Sequence, residues 1–323
     1  VAATAVIQGH MTLGMMLAVQ YIIGQLNSPV EQLMNFFYSV QDVKISLERI
    51  NEIHQMDDEN GKDGLLTGLD HPEDGIHISN IMFKYDPHAL RKTIDGVDIH
   101  ISQGKVTAIV GASGSGKTTL IRLMLGYYPV LEGKITIGNT DINQLNRKWW
   151  RRQCGVVMQE GVIFSESIGR NIAVDDAEID EARLMKAAEI ACVRDYVMAL
   201  PLKFNTKIGR DGVGLSQGQK QRILIARAVY KNPDYIFLDE ATNSLDANNE
   251  RNIVENLDKF YQGKTVVIVA HRLSTVKNAD QIVVLDQGKV VEVGNHESLT
   301  AKRGAYYNLV KNAGEVERQN AKG

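Results

Sequence analysis

KVTAIVGASGSGKTTLIRLML, at residues 105–125, decides the fold of this 323-residue chain. The stretch starts with a nearly continuous apolar strand, 105–110, and ends with a helical segment, 117–125. Between them, residues 111–118 fit the pattern Gly-x-x-x-x-Gly-Lys-[Ser/Thr] in full, in the strand-loop-helix context that confirms it. The sequence therefore predicts a βαβ opening whose glycine-rich phosphate loop (residues 111–118) holds phosphate groups.

The residues of the phosphate loop have separate predicted tasks. Glycines let the backbone curl so that successive N–H groups point at a β-phosphate, while Lys117 supplies a positive charge to the β- and γ-phosphates. Thr118 is expected to hold Mg²⁺ through its hydroxyl. The predicted nucleotide ligands of this region are Gly111, Ser113, Gly114, Ser115, Gly116, Lys117, Thr118 and Thr119.

A second apolar strand, 235–238, leads into Asp239 and Glu240. Asp239 has the position of a second Mg²⁺ partner, usually through water. Glu240 is the best candidate to orient or deprotonate an attacking water. The alternative for Glu240 is a surface carboxylate that merely follows a strand.

The segment Leu-Ser-Gln-Gly-Gln at residues 215–219 indicates a second anion site. A Ser-Gly pair that opens a helix presents free N–H groups to an anion. One nucleotide has too few phosphates for two such sites on one chain, so we expect the second site to serve a nucleotide held by another subunit. The phosphate loop alone leaves kinases, GTPases and helicases open.

The remaining apolar runs predict the fold class. Alternating runs at 76–85 and 93–101 favour a half-buried antiparallel sheet. Apolar strands separated by helical patterns favour a parallel sheet covered on both faces. Residues 167–230 interrupt this alternation with helical patterns, so they are expected to form a separate lobe. Besides 105–110, the predicted strands of the parallel sheet are 155–158, 235–238, 265–270 and 281–285.

Composition narrows the function classes. A net charge of −3 and a pI near 6.3 argue against a nucleic-acid partner, because duplex binding demands a basic surface. The two cysteines, Cys154 and Cys192, form no Cys-x-x-Cys pair, which fits thiols used as small hydrophobic groups in a reducing compartment.

The first 30 residues carry no Asp, Glu, Lys or Arg, and the apolar stretch 11–26 with its flanks is long enough to cross a bilayer. A buried core helix is the alternative, because glutamines dilute the hydrophobicity. The chain starts at Val1 and lacks a signal peptide, so we expect a fragment of a longer protein. Apolar residues then step by three and four, which predicts packing in a helical bundle or against a second copy: Leu33, Phe36, Val40, Val43, Leu47 and Ile50.

Over about residues 75–310 the chain resembles the nucleotide-binding domain of ABC transporters. Residues 111–118 are similar to the Walker A loop, 236–240 to the Walker B strand with its catalytic glutamate, and 215–219 to the ABC signature. The resemblance implies a RecA-like P-loop core with an antiparallel β subdomain and a helical signature subdomain at about 167–230. It also implies ATP and Mg²⁺ as cofactors.

The same resemblance implies further site residues. Gln159 resembles the residue that links the Mg²⁺ site to the membrane domain, His271 the histidine that contacts the γ-phosphate, and Tyr85 the aromatic on which adenine stacks. The implied catalytic set is Glu240, His271, Lys117 and Gln159, and the implied metal set is Thr118, Gln159 and Asp239. Two ATP molecules would lie between two copies of the domain, each also contacted by the opposite copy through Ser216, Gly218, Gln219 and Asp246.

Three positions depart from the family pattern. Gln217 stands where glycine is commoner in the signature, Arg210 where exporters usually have glutamate, and Asn243-Ser244 where Ser-Ala is more usual. The substitution at Arg210 puts any communication through that loop in doubt. Because none of the three alters the implied catalytic residues, both sites of a homodimer are expected to hydrolyse ATP.

The N-terminal helix resembles the last transmembrane helix of exporters whose membrane and ATPase parts share one polypeptide. Residues 149–159 and 163–172 look most like bacterial exporters of peptides or bacteriocins, with drug and lipid exporters as the alternative. A soluble ABC ATPase acting on nucleic acid or the ribosome would have basic surfaces and either a long coiled-coil insertion between the two ATP motifs or tandem ATPase domains. A P-loop kinase would lack the signature and His271.

The resemblance thus implies a cell-membrane exporter with its nucleotide-binding domain in the cytoplasm. Its expected partners are a second copy of that domain, upstream transmembrane helices in the bilayer, and a transported substrate. The predicted divisions are a membrane-derived helix and its cytoplasmic extension at 1–55, a linker at 56–74, the nucleotide-binding domain at 75–312 and a polar tail at 313–323.

Overall fold

The computed structural model describes residues 2–55, 64–174, 176–241, 247–270 and 276–311. The chain divides into two compact units, Val1–Gly61 and Lys62–Gly323. The predicted ligands His271 and Asp246 and the predicted tail 313–323 lie outside the described residues.

The first unit consists of helix α1, Ala2–Ile7, and the long helix α2, Leu13–His54. The Thr12 side chain caps α2 by accepting a hydrogen bond from the Met15 N–H at 3.2 Å. Pro29 lies inside the helix, which continues past it to His54. In the described part of the chain, no helix combines the length and the apolar character that a bilayer crossing requires.

The second unit contains a four-stranded antiparallel sheet with the order β2-β1-β4-β5. The predicted runs 76–85 and 93–101 form its two longest strands. The strands are β1, Ile76–Phe83; β2, Ile94–Ile101; β4, Glu132–Ile137; and β5, Thr140–Asp141. Strand β4 was not among the predicted strands, because its first half is exposed and its apolar pattern is weak.

A six-stranded sheet with the order β10-β9-β3-β8-β7-β6 forms the centre of this unit. Five of its strands run parallel, and only the edge strand β10 is antiparallel. Every residue of β7 and β8 is buried, as expected for central strands covered on both faces. The strands are β3, Val106–Val110; β6, Cys154–Val157; β7, Tyr235–Asp239; β8, Thr265–Val269; β9, Gln281–Asp286; and β10, Lys289–Gly294.

Helices cover this sheet, and those between 167 and 231 form the helical region that the sequence predicts. α8 begins at Gln217, within the segment 215–219 that was predicted to open a helix. The helices are α3, Lys117–Met124; α4, Arg147–Gln153; α5, Ile168–Ile172; α6, Glu181–Ile190; α7, Arg194–Met198; α8, Gln217–Lys231; α9, Ala247–Phe260; and α10, His296–Lys302.

Strand β7 shows how the core is divided. Ile236 and Leu238 belong to a cluster that includes residues of α5, α6 and α8, whereas Tyr235 and Phe237 belong to one that includes α3 and the antiparallel sheet. Successive side chains of a strand point to opposite faces, so the sheet separates the two clusters. Each fully buried aliphatic or phenylalanine side chain stabilises the fold by about 1.5–3 kcal/mol.

Part of the predicted linker belongs to the folded second unit. Leu66 N–H donates to Gln144 O at 2.8 Å, and Asn146 N–H donates to Leu66 O at 2.8 Å. The Asp70 N–H donates to the Thr140 hydroxyl at 3.0 Å. Such hydrogen bonds cannot be recognised from amino-acid composition, so the whole of 56–74 was predicted to be a linker.

Candidate active site

The parallel sheet brings the predicted site residues to one edge. Strands β6, β7, β8 and β3 are adjacent and parallel, so their carboxyl ends meet there. β3 leads into the phosphate loop, β7 ends at Asp239, and β6 leads to Gln159. β8 ends at Val269, and His271, two residues further on, lies outside the described residues.

Packing and backbone conformation explain the glycines of the phosphate loop. A Cβ atom at Gly111 would lie 2.1 Å from Leu285 O, and one at Gly116 would lie 2.7 Å from Ile94 Cδ1. Gly114 has φ +77°, but a Cβ atom there would meet no atom within 4 Å. The first two glycines are therefore required by close neighbours, whereas Gly114 is favoured by its left-handed backbone beside open space.

Lys117 is buried inside the phosphate loop. Its Nζ donates to Gly111 O at 3.0 Å and to Ala112 O at 2.9 Å. Burial lowers the pKa of this amine, while the nearby carboxylates of Glu240 and Asp239 act in the opposite direction. The loop thus holds a cation close to two acidic side chains.

Asp239 carries the strongest indication of a ligand. The residue is fully buried, and neither carboxylate oxygen has a hydrogen-bond partner among the described residues. Burial raises the pKa of this carboxyl; the nearby Thr118 hydroxyl opposes the rise without reaching regular hydrogen-bond geometry. Burial of an unpaired carboxylate destabilises a folded protein by several kcal/mol, and a bound cation would offset about that much.

The donor set at Asp239 fits Mg²⁺. This cation prefers oxygen ligands and is commonly held by one or two side chains together with phosphate oxygens and water. The Asp239 carboxylate and Thr118 hydroxyl supply such oxygens. Within the described ranges, no group of three or more His, Cys, Asp or Glu residues could hold a metal. The Ser115 hydroxyl is also buried and has no partner among these residues.

Glu240 has an unusual backbone conformation. Its φ of +53° lies in the left-handed region, and its N–H donates to Val269 O at 3.1 Å. A residue other than glycine pays about 1–2 kcal/mol in this region, and such strain clusters at functional sites. The end of β8 therefore holds Glu240 in a turn directly after the buried Asp239.

Gln159 is exposed in the turn after β6. It lines an open groove of about 570 Å³ together with Leu215, Gln217 and Lys220. In the described structure, no hydrogen bond joins Gln159 to Thr118 or Asp239. The fold thus places Gln159 at the predicted edge and beside the start of α8.

Tyr85 is held against the helix that follows the phosphate loop. Its hydroxyl lies 3.2 Å from Thr119 Oγ1 and accepts a hydrogen bond of 3.2 Å from Arg122 Nη1. The ring meets Phe83 and Tyr128 edge to face, and 48% of the residue remains exposed. Arg122 was not among the predicted site residues. Its position one helical turn after Thr119 on α3 could have indicated that its side chain lies near the nucleotide.

Residues 215–219 form a regular helix start. Ser216 Oγ accepts from Gln219 N–H at 3.2 Å, and Gln219 Oε1 accepts from Ser216 N–H at 2.9 Å. This reciprocal capping box explains why α8 begins at Gln217. Ser216 and Gln217 are exposed, and across the described residues no hydrogen bond joins 216–219 to the phosphate loop.

The family model for ABC transporters matches residues 94–243. The chain contains an ABC transporter domain. The predicted family and the predicted α/β fold with a P-loop NTPase core and a preceding long helix are therefore confirmed.

Relatives extend the likeness to nearly the whole chain. The leukotoxin translocation ATP-binding protein LktB of Mannheimia haemolytica is 39% identical over 308 residues, which make up 95% of this chain and 43% of that protein. The protein of the same name in Bibersteinia trehalosi has the same identity and coverage. The chain thus spans less than half the length of these curated relatives.

A solved structure of a bacterial Atm1-family ABC exporter with ATP bound is also similar. It has a TM-score of 0.77 and 32% sequence identity, and the match covers 93% of this chain and 53% of that one. The match includes 93% of this chain, so the similarity to this exporter extends well beyond residues 94–243.

Proposed function

We propose that this chain is the ATP-binding and ATP-hydrolysing part of a membrane exporter. The observation that carries the proposal is the buried Asp239 carboxylate, unpaired among the described residues, at the sheet edge where β3 opens into the phosphate loop. A site built to bind Mg²⁺ with a nucleotide accounts for this otherwise costly burial. It also accounts for the cation of Lys117 close to two carboxylates.

The proposed roles follow from these positions. Bound MgATP supplies a γ-phosphoryl group whose charge the metal neutralises. Lys117 and the loop residues Gly111, Ser113, Gly114, Ser115 and Gly116 bind phosphate oxygens, with Thr119 beside them. Thr118, Asp239 and Gln159 would hold the metal.

The chemistry needs an oriented water. Glu240 orients this water and accepts its proton. His271 donates to the γ-phosphate, and Tyr85 stacks on the adenine, for which its half-exposed ring offers a free surface.

We further propose that each complete site needs two copies of the chain. The N-terminus of α8 presents backbone N–H groups that can bind an anion. The capping box of Ser216 and Gln219 stabilises this helix start. The absence of a hydrogen bond between the described residues 216–219 and the phosphate loop supports a second nucleotide as their ligand. Ser216, Gly218, Gln219 and Asp246 would then contact ATP held by the other copy.

The proposed setting is an exporter in the cell membrane, with residues 1–55 derived from its membrane part and the nucleotide-binding domain in the cytoplasm. The relatives named as leukotoxin translocation proteins favour a peptide or protein as the transported substrate. Export of a drug or a lipid by an exporter of the same architecture is the alternative. ATP-driven pairing of two copies would move the membrane part, and hydrolysis would separate them.

Phosphate release from ATP by the purified chain, measured with and without Mg²⁺, tests the proposed activity. We expect Mg²⁺-dependent release that Lys117→Ala abolishes. Release that is absent in the wild type, or that survives in this variant, would refute the proposal.

A further inference from the structure

A turn outside the phosphate loop makes a direct backbone contact with it. Gly288, between β9 and β10, donates its N–H to Ser115 O at 3.1 Å. The Gly288 carbonyl accepts from Asp95 N–H at 2.9 Å. One residue of the turn thus joins the phosphate loop to the start of strand β2.

Close packing fixes this arrangement. Gly288 is buried with φ +79°, and a Cβ atom on it would lie 2.6 Å from Thr93 O. A Cβ atom on Gly116 would lie 3.0 Å from the same carbonyl oxygen and 3.9 Å from Gly288 Cα. The Thr93 carbonyl therefore sits between a glycine of the turn and a glycine of the phosphate loop, and neither glycine has room for a side chain.

Charged side chains cover the outside of the turn. The Asp95 carboxylate lies 3.3 Å from Lys289 Nζ and 3.1 Å from Lys92 Nζ. Hydrogen bonds from Lys92, the stronger influence, and from Lys289 lower the pKa of Asp95, so the carboxylate is ionised at neutral pH. Because these side chains are partly exposed, they contribute less than the buried backbone contact.

We infer that Gly288 is a positioning residue for phosphate binding: its hydrogen bond to Ser115 O fixes the Ser115–Gly116 peptide unit so that Gly116 N–H faces the nucleotide. A trans peptide is planar and its C=O and N–H point in opposite directions. Holding the Ser115 carbonyl toward the turn therefore turns the Gly116 N–H away from it. This inference rests on the proposed function, because it assigns that N–H to a phosphate oxygen.

ATP binding to the full chain, measured by titration calorimetry with Mg²⁺, tests the inference through two alanine variants. Gly288→Ala brings a Cβ atom against Thr93 O and displaces the turn. Gly263→Ala is the matched control, because Gly263 has a similar φ of +76° but no atom within 4 Å of its Cβ position. Loss of one hydrogen bond to a charged phosphate predicts about ten- to hundred-fold weaker binding for Gly288→Ala, and unchanged binding for the control.

Hydrogen exchange of the wild type gives a second measurement, which does not depend on whether Gly288→Ala folds correctly. Saturating ATP should slow exchange of the Gly288 amide, which is bonded to the loop, more than that of the Gly263 amide. Equal ATP affinity of Gly288→Ala and wild type, or no change in exchange at Gly288, would overturn the inference. If the wild type itself bound no ATP, the proposed function would fail first, so the two failures are distinguishable.

Discussion

The phenolic oxygen of Tyr85 lies 3.2 Å from Oγ1 of Thr119, the residue that directly follows the phosphate loop. Arg122 donates to the same oxygen from the next turn of α3. The two contacts fix the aromatic ring relative to the loop. A base stacked on Tyr85 and a phosphate held by the loop would therefore be positioned by one rigid unit.

Tyr85→Ala should weaken ATP binding while leaving the fold intact, because nearly half of the residue is exposed. Stacking of a base on an aromatic side chain contributes about 1–3 kcal/mol, so the dissociation constant should rise roughly five- to hundred-fold. Tyr85→Phe is the control that keeps the ring and removes the hydroxyl. If the alanine variant bound ATP as tightly as the phenylalanine variant, the stacking role would be wrong.

Glu240→Gln should retain ATP and abolish its turnover. The substitution keeps the size of the side chain and removes the group that accepts a proton from the attacking water, so bound ATP is no longer cleaved. We expect analytical ultracentrifugation with MgATP to show a stable dimer of this variant and a steady-state phosphate assay to show almost no product. Turnover close to that of the wild type would exclude Glu240 as the base.

The raised pKa of Asp239 predicts a pH dependence of stability in metal-free solution. Because the folded protein binds this proton more tightly than the unfolded chain does, the free energy of unfolding should decrease as the pH rises from the ordinary aspartate pKa through the raised one. Urea unfolding of wild type and Asp239→Asn across acidic to neutral pH measures this contribution. The asparagine variant should lack it, and it should also lose Mg²⁺-dependent ATP turnover.

An identical pH profile for Asp239→Asn and wild type would show that Asp239 does not cause the effect. Added Mg²⁺ with nucleotide should raise the stability of the wild type at neutral pH more than that of the variant, because a cation compensates the buried carboxylate.

The phosphate loop, the buried strands and Asp239 could be predicted because their signals are local. Residues 111–118 carry a complete pattern, and β7 and β8 are continuous apolar runs. Edge strand β10 alternates between exposed and half-buried residues, so its apolar signal is too weak to separate it from a loop.

Long-range contacts account for most of what the sequence did not reveal. The hydrogen bond from Gly288 to Ser115 and the position of Thr93 O beside Gly116 depend on how β9, β2 and the loop meet in three dimensions. Neither the hydropathy pattern nor the amino-acid composition predicts contacts between segments that are so far apart in sequence. The left-handed backbone of Glu240 likewise accompanies a long-range contact, the hydrogen bond from its N–H to Val269 O.

The capping box at Ser216 allows a sharp test of the shared site. Aspartate and asparagine both cap helices as well as serine does, so α8 should remain stable in either variant. Ser216→Asp places a negative charge where the other copy's phosphate would bind, whereas Ser216→Asn is the uncharged control. We expect ATP-driven dimerisation to be lost in the aspartate variant and largely kept in the asparagine variant.

Binding of ATP to the separate Ser216→Asp chain should be unchanged, because the phosphate loop does not depend on Ser216. Calorimetry checks this affinity, and light scattering checks the dimer. Dimerisation that is equally strong in both variants would place the signature away from the second nucleotide.

The dependence of phosphate release per chain on chain concentration shows most directly whether the active site lies between two copies. Turnover per chain should rise with concentration and level off as dimers form, while turnover of Ser216→Asp should stay low throughout. Full turnover per chain at concentrations where sedimentation shows only monomers would contradict a shared site.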